Sequence, residues 1–285
     1  MGSSISVVIL VRNHRQHIAA CLQTVAWADE VILINDGSTD GTLDIARQFD
    51  NVRIFDRALD LNWSAQMNYG LDQASGEWVL QLDVDERVPP DLAAELRELA
   101  NRPDLHAIAV QILGTFLGCL LGHEPSSPYA VRMVRKGSGR FEDRRVHARL
   151  EARGTVAKAR GLLVHLGPFP TVESFWAKNI LYARIEAQNN VERGERLVGE
   201  SAWSSVTQFL LKPVGIFVQK YLVQGFWRRG VVGLHYALMR AVGYYMVYVA
   251  TWERQRGPRD DLGEYCRSRG IPYLDEQPPP DRSAP

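Results

Sequence analysis

Apolar, β-branched runs alternate with amphipathic segments through the first hundred positions of the chain. Ile5 to Val11, ISVVILV, is apolar on both faces of an extended backbone and predicts a buried strand. Ile18, Cys21, Leu22 and Val25 then recur at helical spacing across His17 to Val25. Glu30 to Ile34 predicts a second buried strand, closed by Asn35, Asp36 and Gly37. A helix is expected over Thr39 to Phe49, capped by Thr39 or Asp40 and burying Leu43, Ile45, Ala46 and Phe49. A strand at Val52 to Phe55, a helix at Ser64 to Ala74 and a strand at Trp78 to Leu82 complete this half. Strands alternating with helices at this spacing predict an α/β fold, a mostly parallel sheet with helices on both faces. Ligands of such sheets sit beyond the carboxyl ends of the strands. The turns at Asn35–Asp36 and Asp83–Asp85 therefore fall on one rim.

Pro89 and Pro90 break the chain before a helix expected over Asp91 to Ala100. His106 to Phe116, Ala130 to Arg135 and Val146 to Leu150 predict shorter strands, with a turn at Gly137 to Gly139. From Val172 onward the pattern is helical. The organisation expected is a sheet domain over residues 1–170, a helical amphipathic region over 171–270 and a disordered tail over 271–285, proline-rich from Gln277.

The densest chemistry lies in Glu77 to Val88, EWVLQLDVDERV. An apolar strand runs into Asp83, Asp85 and Glu86. Residues two apart in an extended chain share a face, so Asp83 and Asp85 aim two carboxylates at one point. Such like charges are costly unless a cation lies between them or one is protonated. A divalent metal holding a diphosphate accounts for the pair, because Mg²⁺ and Mn²⁺ take oxygen ligands and share them with phosphates. A solvated acidic turn is the simpler alternative. In Ile34 to Thr42, INDGSTDGT, Asp36 stands at a strand end where it can accept hydrogen bonds from ligand N–H groups, as the imide of uracil offers. Ser38, Thr39 and Asp40 can instead cap the following helix.

Formal net charge is zero across 285 residues, yet Trp203 to Arg256 carries seven cations against the single acid Glu253, a net +6. That segment is also rich in Trp and Tyr. A basic, aromatic surface of this kind suits an anionic membrane or a phosphate-bearing acceptor, and it is too apolar for a nucleic-acid groove. Gly230 to Trp252 holds one charge, Arg240, in 23 residues. A central arginine costs about 2.5–3.5 kcal/mol on insertion scales and three glycines soften the helix, which weighs against a membrane span. Helices lying on the inner leaflet over Pro213 to Trp252 are expected, with a buried hairpin packing on the core or on a second subunit as the alternative. Cys21, Cys119 and Cys266 form neither a disulfide framework nor a metal-ligand spacing. With no signal-peptide pattern at the N-terminus, a cytoplasmic protein peripheral to the inner face of the membrane is expected.

The order VRN near the first strand, then NDGSTDGT, then AQMNYGLDQASGEWVLQLDVDE resembles the inverting family 2 glycosyltransferases of the GT-A fold. The resemblance is nearest to lipopolysaccharide-core and related envelope enzymes of bacteria. It rests further on Arg132 to Gly137, Arg140 to Asp143, Val146-His147, Val164-His165, and on Lys178, Tyr182 and Glu186-Ala187. It implies a nucleotide-sugar donor, a divalent metal (Mn or Mg) and a glycan or lipid-linked acceptor. Val11, Asn13, Asp36, Asn68 and Asp83 would bind the donor. Asp83, Asp85 and His165 would bind the metal, although His165 could equally be a strand-end histidine satisfied by backbone. The base would be Asp143 or Glu142, with Glu151 as a weaker choice. Two positions depart from the pattern. Met67 stands where a cation is common, so a phosphate contact would fall to Arg132 or Arg135. Ala148 stands where a carboxylate is expected. A catalytically silent nucleotide-sugar-binding or membrane-assembly protein is the competing reading.

Overall fold

The computed structural model describes residues 2–60, 62–121, 128–142, 149–167, 171–194, 207–256 and 261–270. The predicted tail lies outside them, as do Asp143, Val146, His147 and Ala148.

Four strands form the first half of the sheet: β1 (Ile5–Val11), β2 (Glu30–Asn35), β3 (Val52–Asp56) and β4 (Trp78–Asp83). They run parallel in the order β3-β2-β1-β4. Burial on both faces explains their unbroken apolar runs, since β2 is buried throughout and β1 at every position but Leu10. Helices α1 (Arg15–Thr24), α2 (Thr42–Ala46), α3 (Trp63–Gln73) and α4 (Pro90–Ala100) connect or follow them. Ile18, Cys21 and Leu22 of α1 pack with Leu92 and Leu96 of α4 on one face. Met67 and Leu71 of α3 cover the other. Gly70 lets α3 approach β1, because a Cβ there would lie 2.4 Å from Val8 Cγ1.

Helix α2 is much shorter than the periodicity predicts. Neither Thr39 nor Asp40 is the cap: Gly41 holds that position with φ 84°. The residues before it are bound into a loop instead. Asn13 Oδ1 accepts from the Thr39 amide at 2.8 Å, and Asp40 accepts from the Arg15 and Thr42 amides at 3.0 Å each. These tertiary bonds outcompete an extra helical turn.

Beyond β4 the sheet turns mixed. β5 (Glu86–Arg87), β6 (Ala107–Phe116), β8 (Ala130–Arg135) and β11 (Val156–His165) extend it in the order β4-β8-β6-β11-β5, with β7 (Cys119–Leu120) on β6. β8 is antiparallel to both β4 and β6, whereas β6 and β11 are parallel. β9 (Gly139–Phe141) and β10 (Leu150–Ala152) form a separate hairpin. The predicted strand at Val146 to Leu150 begins outside the described residues, and the pairing seen there starts at Leu150. β11 is absent from the sequence reading, because Lys158, Arg160 and Gly161 interrupt its apolar pattern.

The helical part opens with α5 (Val172–Glu192), capped by a reciprocal Thr171–Ser174 box. Residues 207–223 form α6 (Lys212–Val218) between two π-helical turns, Thr207–Leu211 and Gln219–Val223. A 3-10 turn (Phe226–Arg229), the long α7 (Gly230–Arg256) and α8 (Asp261–Ser268) follow. Helix α7 packs along α5, where Gly243 leaves room for Asn179 of α5, and Gly233 lets α7 close onto the 3-10 turn at Phe226. Among the described residues no helix is long and apolar enough to cross a membrane. Phe116 at the end of β6 sets its ring edge against Phe175 of α5 at 5.6 Å and Tyr236 of α7 at 5.4 Å, which ties this bundle to the sheet.

Glu30 joins three parts of the sheet face. Its carboxylate accepts from Ser6 Oγ at 2.6 Å, Ser75 N at 2.5 Å and Oγ at 2.7 Å, and Arg53 Nη1 at 3.0 Å. Burial pushes this carboxyl up, but the hydrogen bonds outweigh it and hold the pKa at about 2 instead of 4.5. A depressed carboxyl contributes stability above its unfolded pKa and loses it as pH falls towards the folded value. Glu30→Gln is therefore expected to cost about 3 kcal/mol at pH 7. In urea titrations the gap between the two proteins should narrow below pH 4.5 and nearly close by pH 2. A gap unchanged across that range would show that packing, not charge, holds the node.

Candidate functional site

The carboxyl ends of β1, β2 and β4 bring three sequence-predicted positions side by side. Val11 pairs with Asn35, and Leu10 pairs with Asp83. Asp36 follows β2 directly; its amide donates to Val11 O at 2.9 Å. Its carboxylate accepts from the Leu59 amide at 2.9 Å and from Arg12 Nη1 at 3.1 Å. Asn13 has φ 55°, and its amide N–H donates to Ser38 Oγ at 3.1 Å. With its side chain on Thr39 N, Asn13 stitches the loop after β1 to the loop after β2.

A second group gathers where β4 turns into β5. The strand ends at Asp83, so the two-residue alternation that would align Asp83 with Asp85 stops there. Asp83 instead shares a face with Gln81, whose Nε2 donates to Asp83 Oδ1 at 2.9 Å. Asp85 turns towards β11: its Oδ2 lies 3.2 Å from His165 Nε2, and its carbonyl accepts from the Leu166 amide at 3.0 Å. The register His165↔Glu86 between β11 and β5 fixes that meeting. Burial disfavours the imidazolium, but Asp85, and after it Glu86 and Asp83, raise the His165 pKa above its ordinary value. Burial likewise pushes the Asp85 carboxyl up, and His165 with Lys178 brings it below the usual range. Three carboxylates thus act on one ring. Among the described residues no three His, Cys, Asp or Glu side chains converge closely enough to hold a metal alone. The Asp85–His165 pair offers two adjacent donors, with Asp83 nearby. An oxygen-and-imidazole set of this kind would fit Mn²⁺, a cation that takes oxygen and imidazole donors.

Glu86 and Arg132 form a buried pair beside these groups. Arg132 Nη2 donates to Glu86 Oε1 at 2.8 Å, and Nη1 donates to Gln81 Oε1 at 2.5 Å. The two side chains are 13% and 1% exposed. Glu86 Oε2 also accepts from the Asp83 amide at 2.8 Å. Burial raises the Glu86 pKa while Arg132 opposes that rise. Arg132 Nη1 also reaches Glu86 Oε2 at 3.5 Å, so two charge-assisted contacts and an amide donor oppose the rise without cancelling it.

A cleft of about 740 Å³ opens over Asp83, Gln81 and Arg132. Trp63 and Met67 of α3, Phe141, Leu150 and Glu151 of the hairpin, and Tyr182 of α5 wall it. Asp36 lies two strands away and does not line it. Asn68 does not line it either; its amide is paired both ways to the backbone of Phe141, which does, at 2.9 and 3.1 Å. Glu142 is not a lining residue; its carboxylate accepts from the Arg149 amide at 3.1 Å. Asp143 lies outside the described residues. Of the two substitutes for a cation at Met67, Arg132 is in the cleft. Arg135 instead stacks on Trp78 at 4.9 Å and binds Glu77 and the Leu105 carbonyl. Lys178 and Tyr182 reach the site from α5, which the sequence marked only through the resemblance of their segment.

The family model described as glycosyl transferase family 2 matches residues 6–155. A lipopolysaccharide core biosynthesis glycosyltransferase, LpsC of Rhizobium meliloti, is 26% identical over 88% of this chain and 92% of that protein. An uncharacterized glycosyltransferase of Escherichia coli, YibD, is 32% identical over 36% of this chain and 32% of that protein. Among solved structures, a mannosyltransferase from Pyrobaculum calidifontis in complex with GDP-Man and Mn²⁺ superposes with a TM-score of 0.52. It covers 90% of this chain and 88% of its own at 14% identity, a likeness of GT-A fold.

Proposed function

The chain belongs to glycosyl transferase family 2 and is a glycosyltransferase, and from that premise we propose an inverting, metal-assisted transfer from a uridine diphosphate sugar to a cell-envelope glycan or lipid-linked acceptor. The observation that carries the reading is the Asp85–His165 pair, which does not itself line the cleft but lies two residues along the chain from Asp83, which does. The similarity to LpsC along nearly its whole length supports an envelope acceptor. The reaction is placed at the cytosolic face of the membrane, where a lipid-linked acceptor would present its hydroxyl.

Asp85 and His165, with Asp83, would hold a divalent cation, which when bound neutralises the diphosphate leaving group. Arg132 adds a fixed positive charge at the same wall and offsets the missing cation at Met67. Val11 and Asn13 shape the base pocket, and Asp36 accepts from the base. Asn68 orients the hairpin through Phe141. Asp143 is assigned as the base that takes the acceptor proton, since Glu142 is engaged with the Arg149 amide.

The decisive experiment is hydrolysis of a panel of nucleotide sugars with Mn²⁺, with Mg²⁺ and with a chelator. Turnover of a uridine diphosphate sugar that depends on the cation is the expected result. Donor binding without turnover for any sugar would favour the catalytically silent reading. Asp36→Ala is expected to raise the dissociation constant of the donor about tenfold, as loss of a hydrogen bond to a charged group implies. Calorimetry giving wild-type affinity would remove Asp36 from the donor site. Asp143→Asn should lower kcat by about 10²-fold and leave donor affinity alone, because a base acts in the transition state. If Glu142→Gln alone lowers kcat, the two roles are exchanged.

A further inference from the structure

The sequence holds no Asp or Glu from Thr207 to Trp252, yet it holds Lys212, Lys220, Arg228, Arg229 and Arg240. Two of these cations lie on segments that pack together: Lys212 Nζ sits 5.4 Å over the Tyr248 ring and Phe209 meets Tyr245, so the segment runs antiparallel to α7 and carries Lys220 towards Arg240. Lys220 lies on the π-helical turn Gln219–Val223, which packs against α7. Burial, and then the charge of Arg240, lower the Lys220 pKa. Among the described residues, the charge acting on Lys220 is thus another cation. Lys220 Nζ donates to Gln224 Oε1 at 3.1 Å, a neutral acceptor. The Arg240 Nε is buried with no hydrogen-bond partner, and its guanidinium lies 5.8 Å from the Tyr244 ring. Two partly desolvated cations with no carboxylate partner among the described residues leave an electrostatic demand that an anion satisfies.

The surroundings say which anion. Leu222, Val223 and Val231 are 56%, 77% and 67% exposed, and Trp227 beside them is 50% exposed. A polyanion in water would not need that apolar rim, whereas a leaflet presents phosphate at the headgroups and acyl chains just below. Tryptophan is favoured at that boundary. The face is also joined to the catalytic cleft. Helix α5 contributes Tyr182 to the cleft wall and Phe175 to the cluster that holds Phe226.

We propose that Lys220 and Arg240 together bind the phosphate of an anionic lipid and seat the helical bundle on a membrane leaflet next to the cleft. The purpose of the site rests on the membrane-borne acceptor proposed above; its geometry does not.

The test uses the full chain in flotation with three vesicle types: phosphatidylcholine alone, with phosphatidylglycerol, or with oleate at matched surface charge. Binding to phosphatidylglycerol vesicles is expected to exceed binding to oleate vesicles by about tenfold, the discrimination one lost charge-assisted bond represents. Arg240→Gln should abolish that preference and leave a weaker, headgroup-blind attraction. Arg228→Gln, which removes an exposed cation, should weaken both roughly fivefold and keep the preference. Circular dichroism checks folding, and Lys220→Gln carries the comparison if Arg240→Gln does not fold. Equal binding to both anionic vesicles, or no flotation with either, overturns the proposal. Inorganic phosphate raising the melting temperature while vesicles are ignored overturns the lipid assignment in favour of a soluble phosphate. Nucleotide-sugar hydrolysis, followed without vesicles, separates the two readings. Hydrolysis without flotation defeats the lipid site alone, and flotation without hydrolysis defeats the transferase reading alone.

Discussion

Asp85→Asn is expected to reduce sugar transfer by about 10²–10³-fold, the order of a lost group that stabilises a developing charge, here through the cation Asp85 would hold. The substitution keeps the shape and leaves one oxygen, but it removes the charge that faces His165 Nε2 at 3.2 Å. Two roles for Asp85 make different demands. A purely structural ion pair would lose some stability and keep most turnover. A metal-binding carboxylate would keep a near-native melting temperature, lose turnover, and lose the stabilisation that Mn²⁺ with a nucleoside diphosphate gives the wild type. Ligand that binds only the native state at a hundred times its dissociation constant adds about 2.7 kcal/mol, a shift easily read by melting. Thermal scans with and without Mn²⁺ and the diphosphate therefore complement the activity assay. Near-normal turnover of Asp85→Asn, or full wild-type activity in chelator, would remove the metal from the mechanism.

The parallel half of the fold was open to sequence reading because its strands are buried on both faces. ISVVILV and EVILI admit few other conformations, and the strand ends deliver Asp36 and Asp83 to the rim. The short helix α2 was misread for the opposite reason. Its sequence has good caps, but Asn13, 26 residues earlier, takes the Thr39 amide. The strand β11 was hidden by its polar positions and by the register shift between Lys158 and Leu162. His165 was nevertheless singled out through a motif resemblance, and its placement against Asp85 depends on the undetected strand. The alternation argument for Asp83 and Asp85 needs an extended chain, and the strand ends two residues before Asp85. Asn68 and Asn13 show the limit of residue-type reasoning: both amides are engaged by backbone groups, which local sequence does not specify. Glu86 read as the third acid of a cluster. Its partner Arg132 lies 46 residues away, and only the β4–β8 pairing puts the two together.

That pair supports the second large prediction. Removing one partner of a buried ion pair leaves the other charge uncompensated and costs about 3–5 kcal/mol. Arg132→Met should therefore lower the melting temperature by roughly 10 °C, since each kcal/mol moves a domain of this size by about 2–4 °C. The Glu86 carboxyl, already pushed up by burial, would take a proton once Arg132 is gone. Adding Glu86→Gln removes the stranded carboxyl and the cost of protonating it, and should recover most of the lost stability, because two well-packed neutral groups can replace a buried pair at little cost. Activity should behave differently. If Arg132 neutralises the diphosphate from the cleft wall, the double variant stays impaired by at least about tenfold in kcat/KM after its stability has returned. If Arg132 serves only to hold Glu86 and Gln81, activity should return together with the melting temperature. Measuring both quantities on the single and double variants separates a charge that acts on the donor from one that acts on the fold.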